Sequence, residues 1–148
     1  MSNKIMLLIR QLEVSLEQLG KMHLNALDIS PAQSFALEYL LTHQNETVYS
    51  TDLHEQFGFS KASISAALKE LKNKGYLEMV TNPSDTRKKR LLLTPRAYEI
   101  EQEINAILVR QQDTICRGIS PAQQQRMEKG LNTMLCNIKQ ELVRRNDT

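Results

Sequence analysis

The stretch from Ser50 to Thr94 constrains this chain more than any other, because its punctuation fixes the order of local structures. Ser50-Thr51-Asp52-Leu53-His54-Glu55-Gln56-Phe57 reads as a short capped helix and Gly58-Phe59 as a tight turn. Ser60 caps a second helix that runs through Lys74, and Gly75 stops it. That spacing is a helix-turn-helix. Leu77 to Thr81 then reads as a strand, Asn82-Pro83-Ser84-Asp85 as a turn, and Arg90 to Leu93 as a returning strand. The expected hairpin carries Arg87, Lys88, Lys89 and Arg90 in a row at its tip.

The charge follows the same map. Residues 61–90 hold eight Lys or Arg against three Asp or Glu, so this window carries +5 and leaves −3 for the rest of a chain whose net charge is +2. Like charges at a hairpin tip repel one another and contribute nothing to its stability. They make sense where they meet phosphates or a narrow minor groove. A wing beside a DNA-reading helix is the expectation.

The second helix divides into two faces. Ile64, Leu68 and Leu71 form one stripe, expected to pack against Leu53 and Phe57, while Ala62, Ala66, Lys69 and Asn73, flanked by Ser63 and Ser65, form the other. Small and hydroxylated residues let a helix lie deep in a major groove, where Ser bonds base edges or phosphates and Ala meets a thymine methyl. The free N–H groups after Ser60 favour phosphate, and Lys61, Lys69 and Lys72 add charge. The expected contacts with double-stranded DNA are Ser50, Thr51, Ser60, Lys61, Ala62, Ser63, Ser65, Ala66 and Lys69 in the helices, and Asp85, Thr86, Arg87, Lys88, Lys89 and Arg90 in the wing.

Helices frame this head. Ile5, Leu8, Ile9, Leu12, Leu16 and Leu19 recur at helical spacing up to about Met22, with Leu7 and Val14 on the opposite face. Ser30-Pro31-Ala32-Gln33 is a helix start with a capping box, followed by Phe35, Leu37, Tyr39, Leu40 and Leu41 as buried mass. The run Ile29-Ser30-Pro31-Ala32-Gln33 reappears as Ile119-Ser120-Pro121-Ala122-Gln123, before a helix marked by Met127, Leu131, Met134, Leu135, Ile138 and Leu142. This is reused capping chemistry. Between them, Thr94-Pro95 opens a helix whose apolar residues, Ala97 through Ile115, keep the period for about five turns. These helices exceed what a small head needs, and their surplus apolar surface suits a homodimer interface. The expected fold class is mainly α with a small β-hairpin wing. It is one domain over residues 1–148, with a winged helix-turn-helix head at about 30–94 and helical dimerisation regions at 3–25 and 95–145.

Helix, turn, second helix, Lys74-Gly75-Tyr76-Leu77, then Asp85-Thr86-Arg87-Lys88-Lys89-Arg90 and Leu93-Thr94 together resemble the MarR family of transcription regulators, whose wing signature is D-x-R-x-x-R. The resemblance extends over nearly the whole chain and implies an intertwined homodimer on a pseudo-palindromic operator. It also implies repression by occupancy, and release by a small aromatic or anionic effector. It implies that Arg87 enters the minor groove while Asp85 and Arg90 brace the wing. Two positions depart from the pattern: many relatives have a longer polar or basic residue where Ala66 stands, and glycine where Ala97 stands. An effector cleft between head and dimer helices would involve Arg10, Met22, His23 and Tyr39.

Other chemistries find less support. His23, His43 and His54 lack the spacing of a metal site, and no cofactor is expected. Cys116 follows Ile115 and Cys136 follows Leu135, which reads as packing, while Arg117 beside Cys116 leaves redox sensing as the alternative. With five glycines in all, no phosphate-cradling loop is evident, nor a nucleophile with a recognisable base, so an enzyme is not expected. No apolar run reaches the roughly 20 residues of a membrane span and no signal peptide is visible, which makes the cytoplasm the expected compartment. The rival to a DNA-binding regulator is a protein-interaction module that uses the basic head to dock an acidic partner.

Overall fold

The computed structural model describes residues 3–146. The chain divides into two compact units, one ending at Gln111 and the other beginning at Gln112. The first begins with α1 (Lys4–Leu24), a 3-10 turn (Asn25–Leu27) and α2 (Pro31–Thr42), followed by β1 (Val48–Tyr49), α3 (Ser50–Gln56) and α4 (Lys61–Asn73). The strands β2 (Leu77–Asn82) and β3 (Asp85–Leu93), the short α5 (Pro95–Glu99) and most of α6 (Glu101–Ile115) complete it. The second unit is dominated by α7 (Pro121–Asn146). The architecture is mainly helical with a three-stranded antiparallel sheet in the order β1-β3-β2. None of the described helices is long and apolar enough to cross a membrane.

The core of the first unit is built from the stripes that the periodicity marks. Leu37 and Leu40 of α2, Leu53 of α3, Ile64, Leu68 and Leu71 of α4, Leu77 and Leu91 of the sheet, and Ala97 and Ile104 beyond it form one buried cluster. Phe57 packs against its edge, as the pairing of the two helices requires. Phe35 departs from expectation: it is exposed, and it joins Phe57 and Phe59 at centroid separations of 5.6 Å each. Gln33 and Ser34 occupy the buried side of α2 at that end instead.

Both capping boxes form. Gln33 N–H donates to Ser30 Oγ at 3.2 Å while Ser30 N–H donates to Gln33 Oε1 at 3.4 Å. In the repeated run, Gln123 N–H donates to Ser120 Oγ at 3.2 Å and Ser120 N–H to Gln123 Oε1 at 2.9 Å. Each box satisfies two donors that a helix start leaves open. The helix expected from Thr94 is interrupted at Ile100, where φ of −101° and ψ of 0° separate α5 from α6. The apolar period continues across this break, so the pattern alone does not register it.

Gly75 ends α4 in a left-handed turn with φ of +84°. Its N–H donates to Lys72 O, and Tyr76 N–H donates to Leu71 O, both at 3.0 Å. This Schellman closure satisfies two terminal carbonyls and turns the chain into β2, with Tyr76 and Leu71 both buried at the turn. Thr94 Oγ1 donates to Gly75 O at 2.5 Å, and the Arg96 guanidinium lies 4.8 Å from the Tyr76 ring centroid while donating to Lys74 O. The return strand and α5 therefore clamp the same turn.

Two helices keep most of their apolar residues at the surface. Along α1, Ile5, Leu8, Ile9, Leu12 and Leu16 are all exposed, as are Leu7 and Val14 on the other side. In the second unit, none of the described residues of α7 is buried, and Met127, Leu131, Leu135, Ile138 and Leu142 are exposed. Cys136 is exposed too, so the packing expected of it does not occur within the described residues. Cys116 is half-buried, with its sulfur 3.3 Å from Gln112 Nε2.

Candidate nucleic-acid interface

The interface is organised around α4. Ser60 Oγ accepts from Ser63 N–H at 3.1 Å and the two hydroxyls lie 2.9 Å apart, so the cap holds Ser63 against the helix start. Lys61, Ala62, Ser63, Ser65, Ala66 and Lys69 are all exposed, whereas Ile64, Ala67, Leu68 and Leu71 of the same helix are buried. One face is therefore anchored in the core, and the face with small, hydroxylated and cationic side chains is left to solvent. Thr51 is half-buried in the first turn of α3.

Ser50 occupies a different place from the one the sequence suggests. It is buried in the first turn of α3, and its Oγ accepts from the Lys89 N–H at 3.4 Å. The helix start is secured by Asp52, whose Oδ2 accepts from Tyr49 N–H at 2.8 Å. Ser50 thus joins α3 to the hairpin.

The hairpin also differs in register from its expected form. The strands extend to Asn82 and from Asp85, so only Pro83 and Ser84 separate them, and the basic run lies within β3 instead of at a tip. Thr81 pairs with Lys89 while Asn82 pairs with Asp85. One step along β2 therefore faces four along β3, which throws Thr86, Arg87 and Lys88 out as a bulge. Asp85, Thr86, Arg87, Lys89 and Arg90 are exposed, and Lys88 is half-buried with its ammonium 4.2 Å from the Tyr49 ring centroid. Asp85 braces the wing through the backbone: its Oδ1 accepts from Arg87 N–H at 3.0 Å. Among the described residues, no ion pair joins Asp85 to Arg87 or Arg90.

The family model described as the MarR family matches residues 27–88, from the 3-10 turn after α1 to the bulge itself. Over the winged head the chain is similar to the MarR family. A MepR–DNA complex from S. aureus resembles the chain with a TM-score of 0.80 and 22% identity, covering 92% of this chain and 99% of that one. A mutant E. coli MarR complexed with operator DNA gives a TM-score of 0.73 at 20% identity, over 86% of this chain and 91% of that one. BpsR of Bordetella bronchiseptica, whose DNA binding is described as regulated by 6-hydroxynicotinic acid, gives 0.77 at 19% identity, over 90% and 94%. These likenesses show that the MarR fold spans most of the chain. No curated protein matches it by sequence.

The winged head contains two features that leave no pattern in the sequence. Tyr49 supports Lys88 from the two-residue strand β1, which is too short to leave a period. Gln33 Nε2 donates to the Glu70 carboxylate on α4, so the capping-box residue of α2 also holds α4. A cavity of about 170 Å³ lies beside the wing, bounded among others by Leu40, His43, Val48, Arg90 and Tyr98. Arg10, Met22, His23 and Tyr39, named as a possible effector lining, are not among its walls. Among the described residues, no group of three His, Cys, Asp or Glu side chains is arranged to hold a metal ion.

Proposed function

We propose that this chain is a sequence-specific regulator of transcription that binds duplex DNA as a homodimer. The observation that carries the reading is the division of α4: its apolar stripe is buried while Lys61, Ala62, Ser63, Ser65, Ala66 and Lys69 face solvent. Such a face is shaped for a major groove, with small residues permitting close approach and hydroxyls available to base edges and phosphates. Arg87, exposed in the bulge, is the wing residue for an adjacent minor groove, and Lys89 and Arg90 supply charge beside it. Thr51 and Ser60 approach the phosphates near the two helix starts, and Ser50 acts from beneath.

The homodimer reading is supported by the exposed apolar rows of α1 and, separately, of α7. A long amphipathic helix whose apolar row is mostly exposed gains stability by covering that row with another surface. Two heads on successive major grooves would recognise a pseudo-palindrome with half-sites about 34–36 Å apart. Occupying that operator represses by excluding polymerase, and a small aromatic or anionic effector releases it by changing the separation of the heads. The regulation described for BpsR supports the effector part of this reading.

Competition separates this function from docking of an acidic protein partner. The full chain, bound to a duplex selected from a random pool, is challenged with the same duplex scrambled and with poly-glutamate. Displacement by the selected duplex alone supports the regulator; equal displacement by poly-glutamate supports the docking module.

A further inference from the structure

The bulge that presents Arg87 lacks support from β2, and the structure shows what replaces it. Lys89 and Asp85 have partners on that strand, but Thr86, Arg87 and Lys88 between them do not. On the other side of β3, β1 pairs Val48 with Leu91 and Tyr49 with Arg90, then ends as α3 begins. At the next step, where a third rung would fall, Ser50 Oγ accepts the Lys89 N–H. One residue further along β3, the Lys88 ammonium sits over the Tyr49 ring. The first turn of α3 and the last residue of β1 thus continue the ladder with side chains after its backbone has turned away.

We propose that Tyr49 and Ser50 are positioning residues for the wing, fixing the base of the bulge so that Arg87 is held at the height where it meets DNA. Neither needs to touch the duplex. Ser50 is buried, and its hydroxyl is engaged by the wing backbone. The Tyr49 ring confines the Lys88 side chain, and ordering one residue of a three-residue bulge limits the freedom of its neighbour Arg87. This also explains the charge arrangement: Lys88 is drawn inward over an aromatic face while Arg87 remains free to approach a phosphate or minor groove. The inference rests on the DNA reading of the wing given above and adds the device that aims it.

A double-mutant cycle tests it, using the full chain and a duplex selected from a random pool. Arg87→Ala weakens binding about tenfold, as expected for loss of one arginine contact. Tyr49→Leu, which keeps apolar bulk but removes the ring face, weakens it about threefold. Because Tyr49 acts through the wing, the double variant binds like Arg87→Ala alone, and Tyr49→Phe restores affinity since it keeps the ring. Ser50→Ala follows Tyr49→Leu in the same cycle. Independent losses that multiply in the double variants would overturn the inference and leave the wing's DNA role intact. An unchanged affinity for Arg87→Ala would overturn that role and the inference with it.

Discussion

Lys74, just beyond the end of α4, donates from Nζ to Gln33 Oε1 at 3.0 Å, and Gln33 is buried. The same ammonium donates to Asp28 O at 2.5 Å and lies 3.9 Å from the Asp28 carboxylate. Asp28 has a left-handed backbone with φ of +52° at the exit of the 3-10 turn. The connection from α1 and the C-terminal end of the recognition helix are therefore tied through one lysine, and the start of α2 is held by the same amide.

Replacing that amide gives the first prediction. Gln33→Ala removes the capping-box acceptor, the donor to Glu70 and the acceptor for Lys74 together. Much of Glu70 remains accessible to water, which limits the loss. The stability of the chain falls by about 1–2 kcal/mol, measured as a lower denaturant midpoint at unchanged slope. An unchanged midpoint would show that the amide bridges nothing of energetic weight.

The wing gives the second. Arg87→Ala weakens binding across duplex sequences and lowers the salt slope by about one counterion. Lys139→Ala, a cationic change of the same kind on α7, leaves both unchanged. Binding titrations at several salt concentrations make the comparison, and equal effects of the two substitutions would refute the assignment of the wing.

A third concerns reading instead of attraction. Ser65 is exposed on the outer face of α4, and its hydroxyl suits a base edge. Ser65→Ala changes the order of preference among related duplexes while leaving the salt slope intact. If all duplexes weaken in parallel, Ser65 serves a phosphate and not a base.

The fourth addresses assembly. Leu135 and Ile138 are 53% and 57% exposed on α7, apolar surface that a second copy of the chain would remove from water. With about half of each side chain already covered, burying the rest would contribute about 1 kcal/mol apiece. Leu135→Lys combined with Ile138→Lys shifts the sedimentation equilibrium from dimer to monomer. A dimer that persists at unchanged affinity would place the interface elsewhere.

The legible parts of this structure are those whose cause is local. Ser30 and Gln33 form the predicted capping box because both partners lie within one turn, and Ser120 and Gln123 repeat it. The buried Ile64-Leu68-Leu71 stripe follows from helical period, and Gly75 stops α4 because it accepts a positive φ. What the sequence concealed depends on pairing across distance. The bulge at Thr86–Lys88 exists only in the relation between β3 and β2, and a run of cations carries no alternation that would reveal it. Ser50 reads as a helix cap from its neighbours, yet its hydroxyl is taken by Lys89, 39 residues away. Tyr49 belongs to a two-residue strand that is defined by its partner alone.

If two copies of this chain read a defined duplex, selection of bound duplexes from a random pool, followed by affinity against salt, will show it. The expected result is enrichment of a pseudo-palindrome with half-sites about one helical turn apart, and a steep fall in affinity as salt rises. Recovery of unrelated sequences, bound with no preference over the starting pool, would contradict it.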